Sequence, residues 1–160
     1  MAKKRAYPEP VKYRVKNLKK YRGDATNVWY RSTWEKKVML WFDFHPNVVE
    51  WSSEEVVIPY LLPETDREGN VLGHSQHRYF MDFSVVFEVN GKRKKYLVEV
   101  KPYEQTQPPK ITEGKKTKTL VEQANTYIKN KAKWEAAEAY CKSKGWGFQI
   151  LTEYELGMAK

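Results

Sequence analysis

Between residues 79 and 101 the chain carries two runs rich in β-branched and aromatic residues, one on each side of Asn90-Gly91. That dipeptide is the best former of a type I′ turn, whose two central residues both need φ > 0, so the stretch predicts a hairpin with a two-residue loop. Val89 then faces Lys92, and counting back along both strands sets Asp82 opposite Glu99. Side chains alternate between faces along a strand, so Glu99 and Lys101 share one face and Asp82 joins it from the neighbouring strand. A four-residue loop would set Asp82 against Lys101 and keep all three together. A three-residue loop without a bulge would part them.

Upstream, Ser32-Thr33-Trp34-Glu35 has the form of a capping box, and Trp34, Val38, Trp41 and Phe42 follow at helical spacing until Pro46. Residues 48–51 and 55–60 are two β-like runs that predict a β-hairpin around Ser52-Ser53, and 63–77 reads as a polar, mobile loop. Downstream, 120–144 predicts a long helix stopped by Gly145. Val121, Ala124, Ile128, Ala132, Ala136 and Ala139 form a small-residue stripe suited to packing on a sheet. A second stripe holds Gln123, Tyr127, Lys131 (with Asn130) and Trp134. Residues 146–151 read as a last strand, and Thr152 with Glu155 repeats a capping box for a short helix. The order predicts an α/β fold, a mixed central sheet flanked by helices, in one domain over 28–160.

Composition narrows the setting. At 160 residues, 41% of them hydrophobic and 14% aromatic, the chain can bury a core and is not a disordered polymer. No run of about 18 apolar residues suggests a membrane span. The N-terminus lacks an apolar signal core, and a single cysteine, Cys141, fits a reducing compartment, so residence in the cytosol is expected. The net charge of +9 points to a polyanionic partner, nucleic acid before anionic membrane. Much of that charge lies in residues 1–27, either a solvated tail or a basic arm for phosphates or a protein partner, and in 110–118, either a solvated loop or one laid over a DNA backbone. His45, His74 and His77 show no metal-ligand spacing and are expected on the surface or in loops.

Asp82, Glu99 and Lys101 are the candidate chemistry. An exposed acid–base cluster across a hairpin is usually a solvated ion pair worth about 0–1 kcal/mol. Here the Asp82 run is apolar on both faces (Tyr79, Phe80, Met81, Phe83, Val85, Val86, Phe87), which places its acid at a sheet end or in a cleft. Two carboxylates held that close repel, and one takes up a proton unless a cation intervenes. Hard divalent cations favour such oxygen ligands.

The pattern Met81-Asp82, a hairpin, then Glu99-Val100-Lys101 resembles the core of the PD-(D/E)xK nucleases, with Met81 in place of the usual proline. Arg78-Tyr79-Phe80-Met81-Asp82 and Ile150-Leu151-Thr152-Glu153 are similar to the catalytic domain of the transposon endonuclease subunit that cuts 5′ ends. Residues 27–35 (NVWYRSTWE), 43–46 (DFHP) and 130–137 (NKAKWEAA) look like the head completion nucleases of T-even-like tailed phages. The resemblance spans roughly 27–155. It implies a restriction-endonuclease-like fold and an Mg²⁺-dependent DNA endonuclease, with Mn²⁺ as substitute. Asp82 and Glu99 would hold the ion, with the Val100 carbonyl. Glu35, otherwise a complete capping acid, would bind a second metal or orient water. Lys101 would stabilise phosphorane charge, since two adjacent carboxylates oppose the depressed pKa that a general base needs. Arg78, Tyr79, Gln123 and Lys131 are the DNA-binding candidates. Double-stranded or branched DNA and phage head or neck proteins are the implied partners, met in the host cytoplasm during assembly or in the virion. A DNA-end-binding structural protein on a nuclease scaffold, or a dimeric junction resolvase, stays open.

Overall fold

The Asn90-Gly91 turn sets the register of the central sheet. In the computed structural model, which describes residues 8–158, Asn90 and Gly91 adopt φ of 51° and 76°, and Val89 pairs with Lys92. The two-residue loop is the one formed.

In chain order the elements are β1 (Val11–Lys12), β2 (Trp29–Tyr30), α1 (Thr33–Phe44), β3 (Val48–Ser53), β4 (Val57–Thr65), β5 (Val71–Phe80), β6 (Phe83–Val89), β7 (Lys92–Val100), α2 (Thr117–Lys144) and β8 (Gly147–Leu151). The main sheet has the order β3-β6-β7-β8. Its last pair is parallel, and α2 supplies the crossover that a parallel pair requires. Period-two alternation divides the core between the two faces. Phe83, Val85 and Val98 pack with Val38, Met39 and Phe42 of α1, while Leu97 and Met81 pack with Trp134, Ala137 and Cys141 of α2. The result is the expected α/β arrangement, a mixed sheet between helices.

Local chemistry explains both helices. Ser32 Oγ accepts the Glu35 N–H at 3.1 Å, as a capping box requires, while the Glu35 carboxylate reaches one residue further back and accepts the Arg31 N–H at 3.2 Å. α2 ends at Gly145, whose φ of 73° is left-handed, with Trp146 N–H donating to the Cys141 carbonyl at 2.8 Å.

Several expectations are corrected. Residues 63–77 are not a mobile loop. They belong to a long antiparallel ribbon, β4–β5, that forms its own two-stranded sheet. Pro59, Pro63 and the polar residues of β5 break up the apolar alternation that would have marked these strands. Nor do 48–51 and 55–60 form a hairpin with each other: β3 pairs with β6, β4 with β5. On α2 the buried positions are Asn130, Trp134, Ala137 and Cys141, whereas Val121 and Ile128 of the expected stripe are about half exposed (52% and 53%). Alanines make up much of the helix's own packing surface, so the bulk of Trp134 decides its orientation. After β8, Thr152 and Glu155 make their capping contacts, yet only a turn follows.

The boundary at residue 27 also falls inside the folded body. Tyr13, Val15 and Tyr21 are buried in the α1-side core, because Trp51 and Asp43 give them ring faces and an acceptor. The part of the basic arm before residue 8 lies outside the described residues.

Candidate active site

Asp82 sits where the ribbon hands over to the main sheet. Met81 anchors the handover: it is fully buried, and its N–H donates to the Val56 carbonyl at 2.9 Å. A proline there could not make that bond. The β6–β7 ladder runs to Phe83–Val98, and the Asp82 side chain then accepts the Val100 N–H at 2.8 Å. Glu99, only 6% exposed, follows Leu97 on the α2 face of β7. Its Oε2 accepts the Tyr79 hydroxyl at 2.6 Å, and its Oε1 lies 3.7 Å from Lys101 Nζ.

Electrostatically the pair is under strain. Burial, and after it the charge of Glu99, pushes the Asp82 carboxyl well above the usual range, against the opposing pull of the Val100 N–H and Lys101. Glu35 adds a smaller push in the same direction. Burial and the Glu99 charge also drive the Tyr79 phenol upward, so it remains a donor. Two crowded carboxylates, one of them reluctant to ionise, form an oxygen donor set suited to a hard divalent cation. A strand residue's N–H and C=O leave on the same side, so the Val100 carbonyl also faces the Asp82 strand.

Asp82, Glu99 and Lys101 therefore meet as the hairpin parity predicted, with the Val100 backbone N–H on Asp82. Glu35 arrives from α1, on the opposite face of the sheet, and its carboxylate is engaged in the helix cap. It is near enough to be felt by Asp82, yet among the described residues no group of three His, Cys, Asp or Glu side chains converges as a metal-holding cluster. Tyr79 does not face DNA: at 3% exposure it is a core residue that holds Glu99. Arg78, on the other face of β5, is exposed beside the Phe80 ring at 5.8 Å. Gln123 accepts Lys115 Nζ at 3.0 Å, and Lys131 is exposed on α2.

The residue that sequence reasoning passed over is Lys133. It is half-buried, with Nζ 5.2 Å from the Tyr79 ring centroid. Its pKa is lowered by burial first, then by Lys101 and Lys129, while Glu99 and Asp82 pull it upward. Lys131 and Lys133 flank the buried stripe of α2 on opposite sides. Which flank meets the carboxylates depends on how the helix docks on the sheet, and helical periodicity carries no such information.

A carboxylate pair and a lysine at the end of a hairpin, in a mixed sheet between helices, define a restriction-endonuclease-like nuclease domain. Residues 45–153 match the family described as TnsA-like endonuclease N terminal, and the chain belongs to that family. The matched span contains Asp82, Glu99, Lys101 and Lys133, and starts after Glu35. Over 146 residues the chain is 36% identical to the head completion nuclease of Enterobacteria phage T4, covering 89% of each chain. No solved structure matches it.

Proposed function

We propose that this protein is a metal-dependent DNA endonuclease that acts at phage head completion, after DNA packaging, alongside head or neck proteins. The reading is supported most by the Asp82–Glu99 pair, two carboxylates forced together with one pushed toward its protonated form. Mg²⁺, or Mn²⁺ in its place, would be held by Asp82, Glu99 and the Val100 carbonyl, and would supply Lewis acidity and an activated water.

The chain's own groups do the rest. Tyr79 fixes Glu99 through the 2.6 Å hydrogen bond, and the Val100 N–H fixes Asp82. Lys101, leaning on Glu99 at 3.7 Å, offers a preorganised positive charge to the phosphorane as water attacks phosphorus and the P–O bond to the leaving nucleoside breaks. Glu35, beside this centre, would orient water or assist a second ion. No described helix is long and apolar enough to cross a membrane.

Plasmid nicking with Mg²⁺ or Mn²⁺ tests the reading. Asp82→Asn or Glu99→Gln should lose at least the roughly 10²–10³-fold that removal of one preorganised electrostatic contact costs. Wild-type protein that cleaves no faster than these variants would leave a DNA-end-binding scaffold without chemistry.

A further inference from the structure

We propose that Lys133 is a second phosphate-contacting lysine of this site, meeting the scissile phosphodiester from the α2 side while Lys101 meets it from the sheet. The inference rests on the nuclease reading and extends it to a residue on a different element.

Position is the first argument. Lys133 Nζ lies over the ring of Tyr79 at 5.2 Å, and the hydroxyl of that same ring is bonded to Glu99. The ammonium is thus one side chain removed from the carboxylate pair. The second argument is what Lys133 lacks. A lysine kept for stability is paired, and a solvated one is exposed, as Lys129 and Lys131 are. Lys133 is drawn halfway into the protein with the Tyr79 ring as its contact, yet among the described residues it makes no ion pair. Lys101, by contrast, has Glu99 beside it.

Charge supplies the third argument. The charge of Lys101 weighs against the charged form of Lys133 more than Glu99 or Asp82 supports it, so a further anion beside the two ammoniums would be favoured. A phosphodiester brings one negative charge and gains more character of that kind in the transition state. It is the group that two converging ammoniums would favour most when the bond is half broken, so the contact should serve turnover more than affinity.

The experiment compares wild type with Lys133→Ala, Lys133→Met, Lys133→Arg and, as a control at the far end of the β6–β7 hairpin, Lys92→Ala. Fluorescence anisotropy with a labelled duplex, in EDTA over a range of salt, gives the slope of log K against log salt. Steady-state cleavage with Mg²⁺ gives kcat and KM separately. Loss of one phosphate contact should flatten the slope by about 0.9. The kcat of Lys133→Ala should fall about 10²-fold, the low end for losing a preorganised contact. Lys133→Arg should recover part of both, and Lys92→Ala should keep the wild-type kcat. Lys133→Met keeps the aliphatic stem over Tyr79 and loses only the charge, so it carries the test should Lys133→Ala fold poorly. Folded Lys133→Met with wild-type slope and kcat overturns the proposal and leaves the nuclease reading intact. Wild-type protein that binds DNA without cleaving it sinks the nuclease reading, and the slope alone then decides whether Lys133 touches phosphate.

Discussion

Asp43 and Asp82 are both drawn into the protein, one from α1 and one from the mouth of the hairpin, and their surroundings differ completely. Asp43, 1% exposed, accepts the Tyr13 hydroxyl at 2.5 Å, the Trp51 indole N–H at 3.1 Å and the Lys16 and Asn17 backbone N–H groups at 2.9 and 3.4 Å. Asp82 accepts the Val100 N–H and faces a second carboxylate. Even the tyrosines correspond, Tyr13 on Asp43 and Tyr79 on Glu99. A buried carboxylate ringed by donors ties distant segments together and has nothing left to offer. One that is short of donors and crowded by another acid is poised for a cation.

The contrast can be broken by mutation. Asp43→Ala strips the acceptor from Tyr13 and Trp51, and at about 1–3 kcal/mol for each buried donor left unsatisfied the protein should lose roughly 3–5 kcal/mol. Urea denaturation measures it. Asp82→Asn, which removes repulsion rather than a partner, should unfold at a midpoint no lower than wild type in EDTA. A large loss there would mean that the two sites are alike after all.

Tyr79→Phe sharpens the comparison at smaller scale. It should cost about 1 kcal/mol of stability but weaken metal-dependent activity by about 10–100-fold, as loss of a group that orients a ligand does. An activity loss that added Mg²⁺ cannot relieve would move Tyr79 from positioning to another role.

The mildest expected effect is on pH. Unfolded Asp82 ionises near about 3.9, whereas in the folded protein its carboxyl holds its proton to higher pH. Between those two values the folded state binds more protons, so stability in EDTA falls as pH rises. Thermal melts should show that decline, and either a divalent cation or Asp82→Asn should flatten it.

The hairpin and its acids were legible because Asn90-Gly91 fixes the loop, and the loop fixes which side chains share a face. Helix α1 was legible for a similar reason, since Ser32 and Glu35 write its start within four residues. What could not be read depends on partners far along the chain. Tyr13 and Tyr21 look like parts of a basic tail until Asp43 and Trp51 are known to be waiting for them. Met81 looks like a defect in the nuclease motif until Val56 is seen to need its N–H. Lys133 is one of many lysines on a helix until the docking of α2 selects it.

Pro59 and Pro63, which hid the ribbon from view, have a use of their own. They occupy alternate positions of β4, where the N–H would point away from β5 and toward the open edge. That edge is missing two donors that a third strand would need. The ribbon can stand apart from the main sheet without serving as a template for another copy of itself, which matters wherever many identical chains gather at high concentration.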